Sequence, residues 1–172
     1  NRIAVRSLRP GSERIDGLVH SEIPAPSGVG TGVGILDSVE FHCVPAVRIA
    51  DLFVRTDISG TARIQATVYN ASAERVGGHI AVSVAQRESS EKLDVTRVSR
   101  ALDPGETRVE MELRVPAPRL WSPNEPNLYR VTAHAYATEL DGFHEESATI
   151  GFREFLFEDG CFRLNGQRFM LH

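Results

Sequence analysis

The chain has 172 residues, 41% of them hydrophobic and 24% charged, with a formal net charge of -4; this is the balance of an ordinary soluble protein with apolar material enough for a core. That charge offers no basic face to nucleic acid, and no apolar run approaches the ~20 residues that span a bilayer. Cys43 and Cys161, the only cysteines, have no ligand spacing and read as free thiols in preference to a disulfide, because a domain of this size needs no covalent staple.

In chain order, Asn1 to Leu8 alternates like a strand and not like a signal peptide, Pro10 to Ser12 is a turn, and Ile23 to Gly34 is crowded with Pro and Gly. Ile35 to Val44 returns to strand-like composition. Two strands around a long loop cannot bury both faces, so residues 1–45 do not read as a complete domain. From Pro45 to Phe155 strand follows strand with no helical period. Val47 to Thr56 opens the series. Ile64, Ala66 and Val68 then alternate with Arg63, Gln65, Thr67 and Tyr69, giving one apolar and one wet face. Gly77-Gly78 reads as a turn into Ile80, Val82 and Val84; a weaker strand covers Leu93 to Ala101, and Asp103-Pro104-Gly105 is a turn. Val109, Met111, Leu113 and Val115 give the cleanest period of two, and Tyr129, Val131, Ala133, Ala135 and Ala137 the next. Asp141-Gly142 turns the chain into a strand expected over Phe143 to Phe155. Seven strands in about 110 residues predict an all-β fold, an immunoglobulin-like antiparallel β-sandwich with flanking partial segments.

Between the last two apolar series lies Leu120-Trp121-Ser122-Pro123-Asn124-Glu125-Pro126-Asn127-Leu128-Tyr129, with the chain's only tryptophan. Pro123 and Pro126 each remove a backbone donor and push the preceding residue away from helical angles, so a rigid extended corner delivers the chain into the strand at Tyr129. Further on come Gly151-Phe152-Arg153 and the tail Phe162-Arg163-Leu164-Asn165-Gly166-Gln167-Arg168, where Asp159-Gly160 and Asn165-Gly166 are turn signals for a small hairpin.

This ordered series of motifs resembles the immunoglobulin-like domain of glycoside hydrolase family 2, which includes β-galactosidases, β-mannosidases and β-glucuronidases. The resemblance implies three parts: residues 1–45 as the end of a jelly-roll sugar-binding domain, 46–155 as the sandwich, and 156–172 as a hairpin and first strand leading into a TIM barrel. It implies a retaining enzyme whose two catalytic carboxylates lie beyond His172, so no catalytic, cofactor or metal residue is assigned here and no cofactor is expected. Trp121, Pro123, Pro126, Tyr129, Gly151, Phe152, Arg153, Asn165 and Gly166 become interdomain structural residues. Trp121 is expected to pack between domains in preference to stacking on a sugar, and the planar fork of Arg153 suits a carboxylate partner at the border, a solvent-facing arginine being the alternative. The expected partners are a carbohydrate substrate, met through the parent enzyme, and the jelly-roll and barrel domains of the same chain; unpaired edges of 1–45 also suggest a homodimer. The compartment is not set by the sequence; a soluble protein is expected, a bacterial cytoplasm being one reading.

Other residues offer little chemistry. Glu145 and Glu146 are neighbours on a strand and point to opposite faces, and the acidic run Glu88 to Glu91 reads as solvated surface. The histidines at 20, 42, 79, 134, 144 and 172 show no metal-ligand pattern. Asn70-Ala71-Ser72 fits a glycosylation acceptor by chance at a strand end, and Gly28 to Gly34 opens no helix and is no phosphate loop. The alternative function is a free-standing immunoglobulin-like binding or adhesion module without enzymatic activity.

Overall fold

Ten strands and no helix occur in the computed structural model, which describes residues 38–40 and 42–170. In chain order they are β1 (Val47–Thr56), β2 (Thr61–Asn70), β3 (Val76–Gln86), β4 (Lys92–Leu102), β5 (Gly105–Arg114), β6 (Tyr129–Ala137), β7 (Phe143–Ile150), β8 (Phe155–Glu158), β9 (Cys161–Leu164) and β10 (Gln167–Phe169). The first seven make an antiparallel β-sandwich of two sheets, ordered β1-β2-β5 and β4-β3-β6-β7, and the last three make a small separate sheet, β10-β9-β8. From Val44 onward the chain is one unit; residues 38–40, 42 and 43 belong to another. The strand expected over Asn1 to Leu8, the glycine-rich loop, His20 and His172 lie outside the described residues. Of the strand expected over Ile35 to Val44, residues 38–40 and 42–44 are described and are not extended in a sheet.

The period of two explains the core. Ile64, Ala66 and Val68 of β2, Ile80, Val82 and Val84 of β3, and Val131, Ala133 and Ala135 of β6 are all essentially inaccessible to solvent, each buried side chain of Val or Ile size contributing about 1.5–3 kcal/mol. Val109 and Leu113 of β5 join them, while Met111 is only partly buried. The outward residues of β2 face charged residues of β5, with Arg63 opposite Glu112 and Gln65 opposite Glu110.

The structure corrects three further expectations and adds one irregularity. Gly77 and Gly78 do not turn the chain; they lie inside β3. A Cβ on Gly78 would sit 2.3 Å from Leu102 Cδ1, so the glycine lets β3 and the fully buried Leu102 approach closely. The turn precedes them at 71–75. The strand from Phe143 ends at Ile150, not Phe155, because Gly151 to Glu154 leave the sheet to pack on the Trp121 corner. The tail is a three-stranded meander in place of one hairpin: Asp159, Gly160, Asn165 and Gly166 all have positive φ, as two-residue turns of the I′ type require. Finally, β1 holds a register shift between Ile49 and Asp51. This bulge moves the inward set from Val47 and Ile49 to Leu52 and Val54.

Both cysteines are free. Glu146 lies opposite Ala133, on the inward-facing row of β6, and Glu145 opposite the outward His134, so the two carboxylates do face opposite ways.

Candidate functional site

The Trp121 corner closes on itself through short-range bonds. The Ser122 amide donates to the Glu125 carbonyl (2.9 Å), and the Glu125 amide donates back to Ser122 Oγ (3.0 Å). The Asn127 side-chain amide donates to the Leu120 carbonyl (3.0 Å), and Trp121 pairs across the loop with Pro126 as an isolated antiparallel bridge. The prolines supply stiffness, and these bonds supply the shape. At its exit Tyr129 is 2% exposed, and its hydroxyl accepts the Arg119 amide (2.9 Å). A tyrosine at the start of the sixth sandwich strand, bonded back to upstream backbone, is a recurrent corner device of this architecture.

The Gly151-Phe152-Arg153 segment meets the corner from the other side. The Trp121 amide donates to the Phe152 carbonyl (2.9 Å), and Phe152, fully buried, stands edge-on to the Tyr129 ring with centroids 4.9 Å apart. Gly151 is required by close approach: a methyl there would lie 2.7 Å from Trp121 Cβ and 2.9 Å from Cγ. Its carbonyl accepts the Thr56 hydroxyl (2.9 Å), tying the segment to the end of β1. Arg153 lies over the indole with its Cζ 4.6 Å from the ring centroid, a cation–π arrangement.

Asn165 attaches the meander to this frame. Its Oδ1 accepts the Glu154 amide (3.1 Å), its backbone amide donates to the Glu154 carbonyl (2.9 Å), and its Nδ2 donates to the Trp121 carbonyl (3.0 Å). Asparagine suits the post twice, since it tolerates the left-handed backbone (φ 52) and offers both a donor and an acceptor. Leu164 beside it is 8% exposed. Pro123 lines a cleft with Trp121, Arg153, Phe155, Leu164 and Phe169. The residues marked in the sequence therefore gather around Trp121, with Gly166 completing the turn after Asn165. Thr56, Asn127 and Leu164 belong to the same frame and were not singled out; Asn127 stands inside the Pro-x-Leu-Tyr run, whereas nothing local marks Thr56.

Elsewhere, among the described residues no three of His, Cys, Asp and Glu come together as a metal site. Each described histidine has a partner of its own: His79 lies between Ser99 Oγ (2.9 Å) and Thr138 Oγ1 (3.0 Å), His134 is 3.5 Å from Glu145, and His42 is 2.9 Å from Glu40. His144 Nδ1 accepts the Ile49 amide at 3.3 Å. No helix among these residues is long and apolar enough to cross a membrane.

Comparison with known proteins gives a consistent result. A family model described as "Glycosyl hydrolases family 2" matches residues 47–153. A β-galactosidase of Vibrio cholerae is 28% identical over 148 residues, which are 80% of this chain and 14% of that protein. Among solved structures, a family 2 member from Bacteroides cellulosilyticus superposes with a TM-score of 0.64 at 24% identity, covering 71% of this chain and 18% of the other. A Bacteroides uniformis β-glucuronidase gives 0.63 at 25%, covering 72% and 16%. The chain thus spans less than one fifth of the length of each of these relatives.

Proposed function

The chain belongs to glycosyl hydrolases family 2, and on that premise we propose that it is a non-catalytic β-sandwich section of a retaining glycosidase whose full-length form hydrolyses terminal β-glycosidic bonds. The observation that carries this reading is the frame around Trp121, in which β1, the corner, Gly151-Phe152-Arg153 and the meander are joined by hydrogen bonds. Such a frame fixes the direction in which the chain leaves the sandwich. Its work is mechanical: it sets a catalytic barrel, entered through the tail, against a sugar-binding jelly roll to which residues 1–45 contribute, so that loops from both meet at the substrate. The two carboxylates of a retaining mechanism, about 5–5.5 Å apart, belong to that barrel. The β-galactosidase and β-glucuronidase relatives support β-linked sugars as the substrate class.

The test is a panel of chromogenic β-glycosides assayed with this chain and with the protein read from its full gene. Turnover by the longer protein alone is the expected result, and the best substrate names the sugar. Turnover by the 172-residue chain itself would place the catalytic groups within it and overturn the scaffold role.

A further inference from the structure

Asn165-Gly166 is the only Asn-Gly pair in the chain, and it forms the two-residue turn between β9 and β10. Such a pair carries its own electrophile and nucleophile. The electrophile is the side-chain amide carbon Cγ, and the nucleophile is the backbone nitrogen of the next residue, which no Cβ screens when that residue is glycine. Here the nucleophile is open. Gly166 is exposed, a Cβ built on it would meet nothing within 4 Å, and among the described residues its amide makes no hydrogen bond. The electrophile is held. Asn165 is half-buried, and its carboxamide is bonded at both ends, Oδ1 accepting the Glu154 amide (3.1 Å) and Nδ2 donating to the Trp121 carbonyl (3.0 Å). Ring closure needs the carboxamide to turn its face to the Gly166 nitrogen, which pulls Oδ1 from Glu154, and needs Nδ2 to depart, which strips Trp121 of its donor.

We propose that Asn165 is a deamidation site guarded by the docking of the meander, and that its conversion releases the meander from the Trp121 corner irreversibly. The Gly166 nitrogen gives up its proton to hydroxide and attacks Asn165 Cγ. The Cγ–Nδ2 bond breaks, Nδ2 takes a proton and leaves as ammonia, and a five-membered succinimide remains. Water then opens the ring. Cleavage between Cγ and the nitrogen gives aspartate, and cleavage at the original peptide carbonyl gives isoaspartate; no other reactant is consumed.

Neither product restores the frame. Aspartate offers acceptors only, so the Trp121 carbonyl loses its donor and faces a negative charge. In isoaspartate the main chain runs through the former side chain and gains a methylene, which spoils the turn that pairs Leu164 with Gln167. Each undocking thus exposes the amide to reaction, and reaction prevents redocking. The inference concerns the described residues alone and stands apart from whether the full-length protein cleaves glycosides.

To test it, the 172-residue chain is aged at mildly alkaline pH beside a synthetic peptide of residues 162–169. Conversion is followed by peptide mass mapping and by enzymatic methylation of isoaspartate. The expected result is conversion at Asn165 in both, slower in the folded chain by at least about tenfold, because only the undocked fraction reacts. Leu164→Ala, which removes the apolar contact beside the turn, should speed the chain by at least about threefold and leave the matching peptide unchanged; urea below the unfolding transition should act on the unsubstituted chain in the same direction. Equal rates in chain and peptide would mean that the bonds to Trp121 and Glu154 guard nothing. A chain that neither Leu164→Ala nor urea accelerates would be protected by the turn itself and not by docking. Either result overturns the gate. The release is read separately: Asn165→Asp should shift the Trp121 emission to the red in a chain that still unfolds cooperatively. If that variant does not fold, the deamidated fraction of the aged chain, separated by its added negative charge, is read in its place. Unchanged emission in the aspartate form would show that losing the amide releases nothing, and the inference fails.

Discussion

Asn70 is 1% exposed, and every polar atom of its side chain is used. Nδ2 donates to the carbonyls of Glu74 (2.8 Å) and Leu102 (3.1 Å), while Oδ1 accepts the Ser72 amide (2.9 Å) and the Ser72 hydroxyl (2.7 Å). The Asn-Ala-Ser triplet thus specifies a turn in the folded protein, with the Ser72 hydroxyl two residues on donating to the Asn70 side chain. Asn70→Ala removes the acceptor for Ser72 and strands the buried carbonyl of Leu102, which costs about 1–3 kcal/mol. Urea unfolding should show that loss as a lower midpoint with an unchanged slope. A midpoint within error of the unsubstituted chain would mean that water replaces the amide at no cost. Asp57 is a different case, a half-buried carboxylate organised by its own turn. The Ser59 hydroxyl above all lowers its pKa from the ordinary value; burial opposes it as the next largest effect, and the amides of Thr61 and Ser59 and the charge of Arg63 add smaller lowering contributions. Because the folded-state value is depressed, the stability it contributes is present above the unfolded value of about 3.9 and is lost as pH falls through the lower folded value. Asp57→Asn should therefore be less stable than the unsubstituted chain at pH 7, with the gap closing below about pH 4. A gap that persists at pH 2 would show that the turn depends on shape and not on charge.

At the scale of strands, the two flanks of the sandwich are closed by side chains reaching the backbone of the facing sheet. On one flank the Asp94 carboxylate of β4 accepts the Arg114 amide of β5 (2.7 Å), and Arg100 Nη1 donates to the Arg108 carbonyl (3.2 Å). On the other, His144 of β7 accepts the Ile49 amide where β1 bulges. Open strand edges are templates for association, and occupying their donors and acceptors is one way a sandwich avoids it. None of these bonds can be read from local sequence, because each joins residues whose nearness is made by the sheets. What could be read were the strands whose side chains decide alone. β2, β5 and β6 alternate strictly between turn residues, and the apolar spacing of Val47 to Thr56 matches the bounds of β1. The spacing Val47, Ile49, Leu52, Val54 records the bulge as one skipped step in the period of two. The Gly77-Gly78 pair misled because glycine marks either a turn or a close approach, and the deciding neighbour, Leu102, is remote in sequence. The Trp121 corner shows the same division. Its prolines announced a rigid bend, and Asn165-Gly166 announced a turn, but the bond from Asn165 to the Trp121 carbonyl spans 44 residues and has no local trace.

For the whole molecule, the question is whether the meander is part of the sandwich or an arm mounted on it. The buried cluster runs from Val47 to Phe152 and draws on all seven sandwich strands, with Val98 of β4 and Met111 of β5 packed against it; no residue of 155–170 belongs to it. What joins the meander to the rest is small: the Asn165 bonds to Glu154 and Trp121, and the burial of Leu164 beside the corner. Three hydrogen bonds at about 1 kcal/mol each and one leucine at about 1.5–3 kcal/mol describe an attachment that orients without being needed for folding. A chain ending at Glu154 should therefore still unfold cooperatively in urea, weakened by a few kcal/mol at most. Trp121, the only tryptophan, should meanwhile report the loss directly, because its carbonyl loses the Asn165 amide and its indole loses Leu164 and Phe169 from the shared cleft. Its emission should shift to the red in the folded baseline, before any unfolding begins. If the shortened chain were unfolded in water, the meander would be a structural part of the sandwich, and the orientation of the chain's exit would be a consequence of folding and not a separate device. If it folds with the tryptophan emission unchanged, the contact between Asn165 and the corner carries no orientation, and the mechanical role proposed for the frame loses its support.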